Sequence, residues 1–201
     1  MERKSPYPIH LTELIRCSKF SGKIPDIVLD YGIKAHGKFY KEFREMCPEA
    51  KIEERFSMII SNTILVFSPD IIYKNVVYEL KRSSKSMTIY HGSIQLLCYI
   101  NLLRKMGYEV DGGMLILIDA MGKSTNAFEF NYYDEYDDVI WKWLVNRVKQ
   151  HESGFRKPVS LFECSECRNR YCKLKYVIDD FPLSLYIHHK LFGRSIMEYF
   201  G

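Results

Sequence analysis

Two runs of strand-forming residues, Asp70-Ile71-Ile72-Tyr73 and Val76-Val77-Tyr78-Glu79-Leu80-Lys81, are separated by only Lys74-Asn75. A two-residue connection between such runs specifies a tight β-hairpin, and asparagine tolerates the positive φ such turns need. The register follows: Tyr73 faces Val76, Ile72 faces Val77, Ile71 faces Tyr78, and Asp70 faces Glu79. Opposed residues share a face of the sheet, with Cβ atoms about 5 Å apart. Lys81, two residues beyond Glu79, shares that face. Two facing acids repel, which a purely structural hairpin avoids. A divalent cation between them converts the repulsion into binding, and carboxylate oxygens are the usual ligands of Mg²⁺ and Mn²⁺. The competing reading is an exposed hairpin with a chance acid–lysine pair.

The chain has 201 residues and is 47% hydrophobic, enough for one packed domain over 1–201. A net charge of +4 permits nucleic acid as a partner without requiring it. No apolar segment follows the charged residues Met1 to Lys4, so no signal peptide is expected, and the reading is a cytoplasmic protein with no membrane partner. Ser86 to Leu103 is 18 residues without a formal charge. It contains Thr88, His91, Ser93, Gln95 and Asn101, which favours a core helix over a membrane span.

The remaining elements follow from periodicity and breakers. Leu11–Arg16 reads as a short helix delivering Cys17, and Ser18–Tyr31 as irregular. Gly32–Met46 reads as a helix with Ile33, His36, Tyr40 and Phe43 on one face, stopped by Pro48. Lys51–Ile60 and Asn62–Phe67 read as strands. Thr88–Met106 reads as a long helix, Gly113–Asp119 as a buried strand, Thr125–Tyr132 as an edge strand, and Asp134–Gln150 as a helix. Phe155–Ser160 is a linker, and Val177–Gly201 is apolar and aromatic without a clear pattern. The order predicts an α/β domain with a mixed sheet. Its core spans about 32–150, and segments 11–31 and 155–176 are appended to it.

Three groups carry chemistry. His36 sits on an apolar helix face, where a neutral imidazole is either a hydrogen-bonded core residue or a metal ligand. Gln95 and Tyr99, four apart, share one face of the helix after Lys81, with His91 one turn earlier. Cys164, Cys167 and Cys172 form a CxxC followed by a third thiol, a strong ligand signal that needs a fourth partner. Of Cys17, Cys47 and Cys98, Cys98 reads as a core residue, Cys47 ends a helix, and Cys17 is favoured because it would clasp the two ends of the chain. Zinc and iron–sulfur both suit four cysteines, and the single CxxC tilts toward iron–sulfur. Arg82 and Lys85 after the hairpin, and Arg168, Arg170, Lys173 and Lys175 around the cysteines, could contact a phosphodiester backbone.

Pro69-Asp70 followed by Glu79-Leu80-Lys81 resembles the PD-(D/E)xK nuclease signature, and Gln95 to Tyr99 resembles the QxxxY motif of its RecB-like branch. With His36 upstream, one early cysteine and three late ones, the chain is similar from Leu11 to Lys175 to the CRISPR-associated RecB-like exonuclease family, the fourth in the Cas naming series. The resemblance implies a restriction-endonuclease-like core, a mixed central sheet flanked by helices, and a [4Fe–4S] cluster, or [2Fe–2S] in some members, on Cys17, Cys164, Cys167 and Cys172. It implies Mg²⁺ or Mn²⁺ held by His36, Asp70, Glu79 and the Leu80 carbonyl, with Lys81, Gln95 and Tyr99 completing the catalytic set. Arg82 and Lys85 would contact DNA.

The expected activity is metal-dependent cleavage of single-stranded DNA, 5′ to 3′ from an end and also endonucleolytic. It would serve CRISPR spacer acquisition, with integrase proteins as partners, or viral or cellular DNA processing. The alternatives are a catalytically weak DNA-end-binding scaffold of an integrase-type complex and a zinc-stabilised regulator. The loop before Asp70 lacks a glycine often found in the family, and Gly193–Gly201 has no counterpart in it.

Overall fold

The computed structural model describes residues 8–18, 26–82, 84–169 and 171–192, with the side chains of 26–29 and 192 excepted. Two mixed sheets are flanked by helices. The larger has the order β2-β5-β6-β7-β8, formed by β2 (Lys51–Ile52), β5 (Ile71–Tyr73), β6 (Val76–Lys81), β7 (Gly112–Ile118) and β8 (Ser124–Asn131). β6 and β7 are parallel, and the other neighbours are antiparallel. Parallel strands need a crossover, and α3 (Ser86–Lys105) supplies it. The smaller sheet is β1-β4-β3, from β1 (Pro8–His10), β3 (Phe56–Ile60) and β4 (Thr63–Phe67), with β1 parallel to β4.

The alternation of β5 and β6 decides the layers. Ile71, Leu80, Ile116 and Ile118 face α2 (Asp26–Met46), packing with Ala35 and Tyr40. Ile72, Val77, Leu115 and Leu117 point the other way, into the main core with α3. From Ile89 to Leu103 every residue of α3 is buried, as a helix apolar on all sides should be. It lies between the large sheet, the Phe56 and Phe67 pair of the small sheet, and α4 (Glu135–Glu152). No helix among the described residues is long and apolar enough to cross a membrane.

Several boundaries differ from expectation. α2 starts at Asp26, inside the stretch read as irregular. Its buried side is set by Ala35, Phe39, Tyr40 and Phe43, while Ile33 is 71% exposed. The expected strand Lys51–Ile60 is two strands in different sheets, broken at Glu53, whose φ is 52°. Pro8–His10 adds a strand, and α6 (Ser184–Phe192) folds the tail against α3 and β8. Arg170 and residues 193–201 lie outside the described residues.

Candidate active site and cysteine cavity

The β5–β6 hairpin has the expected register: Ile71 pairs with Tyr78, Ile72 with Val77, and Tyr73 with Val76. The left-handed turn residue is Lys74, with φ 53°, rather than Asn75. Asn75 instead bonds Asp111 through its side-chain amide at 3.0 Å and its carbonyl at 2.9 Å.

At the open end of the hairpin, Asp70 and Glu79 lie side by side. The Leu80 N–H donates to Asp70 Oδ2 at 2.6 Å, and the Tyr40 hydroxyl donates to Asp70 Oδ1 at 2.6 Å. His36 Nδ1 lies 3.3 Å from the Tyr40 hydroxyl and 3.7 Å from Asp70 Oδ1. α2 therefore reaches Asp70 through a His–Tyr pair one helical turn apart. Burial lowers the His36 pKa, favouring the neutral imidazole that a metal ligand must be.

Glu79 is only 2% exposed. Burial, then the neighbouring Asp70 carboxylate, push its pKa up to about 8 against the opposing effect of Lys81. Lys81 donates to Glu79 Oε1 and, at 3.1 Å, to Gln95 Oε1. The Gln95 amide donates to the Tyr99 hydroxyl at 2.7 Å. Glu79 Oε2 is buried without a hydrogen-bond partner. An orphaned carboxylate oxygen beside a second carboxylate is costly unless a proton or a cation completes it, and the raised Glu79 pKa is the proton's side of that choice. Carboxylate oxygens are a donor type that Mg²⁺ and Mn²⁺ take, but among the described residues no three His, Cys, Asp or Glu side chains form a gathered metal site.

Asp70, Glu79, Lys81, Gln95 and Tyr99 thus lie together in one place, with His36 at its edge. Leu80 meets the site through its N–H, which bonds Asp70. Arg82 and Lys85 follow β6 on the way into α3. The helical period places Tyr40 on an apolar stripe, and its i+4 spacing from His36 is the signal for its role. Beside it opens a groove of about 480 Å³, lined by Gly37, Tyr40, Lys41, Arg44, Glu45, Ile52 and Glu53.

A second constellation joins the chain ends. Cys17, Cys164, Cys167 and Cys172 line one small cavity with Glu163. Cys98 is buried in α3, and burial raises its thiol pKa far above the ordinary range. Cys47 follows the end of α2. α5 (Leu161–Glu166) places Cys164, and the Ser160 hydroxyl caps it by accepting from Glu163 N–H at 3.2 Å. The buried Glu163 carboxylate accepts from Cys17 N–H at 2.7 Å and Val159 N–H at 3.0 Å. Arg147, fully buried, donates to the carbonyls of Leu14, Arg16 and Lys157. These bonds, which no sequence motif announces, set Cys17 opposite the late cysteines.

No protein-family profile and no curated protein matches the sequence. Among solved structures, the crystal structure of SSO0001 is similar, with a TM-score of 0.57 and 20% identity over 87% of this chain and 89% of that one. At that identity the likeness concerns the fold.

Proposed function

We propose that this protein is a metal-dependent deoxyribonuclease of the PD-(D/E)xK type, in the RecB-like branch it resembles, acting on single-stranded DNA. The observation that carries the reading is the pairing of Asp70 with the buried Glu79, whose Oε2 has no partner. His36, Asp70, Glu79 and the Leu80 carbonyl would hold Mg²⁺ or Mn²⁺. When bound, the metal supplies a Lewis acid and a water of lowered pKa.

The chain's own residues have separable tasks. Asp70 is oriented by Tyr40 and the Leu80 N–H. Lys81 holds a positive charge beside Glu79, placed to orient a nucleophilic water or offset charge growing on a phosphoryl oxygen. Gln95, fixed by Tyr99, holds that ammonium from the helix side. Lys41 and Arg44 in the adjoining groove, with Arg82 and Lys85 after β6, supply cations for the phosphate backbone. Cys17, Cys164, Cys167 and Cys172 would hold an iron–sulfur cluster closing the two ends of the chain, a role supported by their shared cavity.

The test is incubation of purified protein with end-labelled single-stranded DNA and Mn²⁺. Cleavage by the wild type, abolished in Glu79→Ala and Lys81→Ala variants that still fold, is the expected result. Unchanged cutting by both variants refutes the assignment. DNA binding without cleavage, unaffected by Asp70→Ala, favours a scaffold role.

A further inference from the structure

Gly92 lies in the buried middle of α3, three residues before Gln95. Glycine destabilises a helix interior relative to alanine because it surrenders more backbone freedom. Its use here has a local explanation. A Cβ on Gly92 would lie 3.0 Å from Leu115 Cδ1 and 3.1 Å from both Cγ and Cε of Lys81. The aliphatic stem of Lys81 therefore crosses α3 through the notch that the missing side chain leaves.

Both ends of that stem are tied. Its backbone pairs with β7 opposite Leu117, and its ammonium is held by Glu79 and Gln95. Leu115 on β7 is fully buried, so the sheet side has little room to yield. A methyl group on residue 92 would displace the stem, and with it the charge beside the paired carboxylates. Gln95 follows on the next turn of the same helix, so α3 supplies both the slot for the stem and the acceptor for the tip.

We propose that Gly92 is a positioning residue whose absent side chain seats Lys81 against α3, with its ammonium between Glu79 and Gln95. The consequence for catalysis rests on the nuclease reading above; the seating itself does not.

The experiment compares the full-length wild type with Gly92→Ala, Lys81→Ala and the double variant. In a crystal structure of Gly92→Ala, Lys81 Nζ should have left hydrogen-bond distance of Gln95 Oε1. With Mn²⁺ and single-stranded DNA, kcat should fall roughly tenfold, as a shift of the stem by a few tenths of an ångström can cause, with KM little changed. In the Lys81→Ala background only the Leu115 contact remains, so adding Gly92→Ala should lower the melting temperature less than it does in the wild-type background. That stability cycle also decides the matter if the single Gly92→Ala variant does not fold. Lys81 still seated on Gln95 in the variant crystal, or a loss of stability equally large without the lysine stem, overturns the proposal. Wild-type protein that never cleaves DNA defeats the nuclease reading and leaves the structural and stability tests of the seat in force.

Discussion

Replacing Glu79 with glutamine should stabilise the metal-free protein, and increasingly so as pH rises. The Glu79 carboxyl titrates near 4.5 in an unfolded chain and about 8 in the fold, because burial and then the Asp70 charge disfavour its ionised form. An acid whose pKa is raised by folding contributes its full stability below the unfolded value. That contribution drains away as pH climbs through the folded value. At about 1.4 kcal/mol per pH unit across that window, the loss by pH 7 is roughly 3 kcal/mol. Glutamine cannot ionise, yet its carbonyl can still accept from Lys81. In a domain of this size 1 kcal/mol moves Tm by about 2–4 °C, so Glu79→Gln should melt roughly 6–12 °C above wild type at pH 7. The two should converge near pH 4.5. Thermal melts in EDTA between pH 4.5 and 8 measure this directly. Mn²⁺ at about 100 times its Kd should then return about 2.7 kcal/mol to the wild type and much less to the variant. A gap that does not change with pH would mean that Glu79 is not held as a buried acid beside Asp70, and the basis for a shared cation would go with it.

Other perturbations probe the supports. Tyr40→Phe removes the hydroxyl from Asp70 Oδ1; denaturant unfolding should register a loss of about 1.5–3 kcal/mol, as for a hydrogen bond to a charged group. Arg147→Ala strands the carbonyls of Leu14, Arg16 and Lys157. It should cost about 3 kcal/mol or more and expose the chain near Arg16 to protease, readable by limited proteolysis and mass spectrometry. Cys17→Ala should lower the iron content of anaerobically purified protein, whereas Cys47→Ala should not. One zinc and no iron in the wild type would refute the iron–sulfur assignment.

The hairpin register was legible because strand period and a two-residue turn leave only one pairing that keeps each face consistent. The long α3 was legible because an uncharged run with helical stop signals has few other fates. The three late cysteines were legible from their spacing, whereas Cys17 was only favoured over Cys47, because a site closed by it would clasp both ends of the chain. The misreadings share a cause in long-range contacts. Lys51–Ile60 has continuous strand character, but the Glu53 N–H bonds the Asp70 carbonyl at 3.0 Å and turns the chain from one sheet to the other. The role of Tyr40 depends on a carboxylate 30 residues away. Ile33 fits the helical period but points outward, because the sheet meets α2 along Ala35, Phe39 and Phe43.

The anchoring of residues 8–18 also sets an order of assembly during synthesis. The Cys17 N–H finds its acceptor 146 residues later, and the Leu14 carbonyl its donor 133 residues later. A nascent chain can complete the hairpin, α3 and the β6–β7 pair while those partners are still unmade. Pro8–His10 can pair with β4 early, but the Cys17 N–H must wait until Glu163 emerges from the ribosome. Insertion of a metal or cluster between those thiols would be a finishing step, on a domain whose carboxylate pair is already assembled.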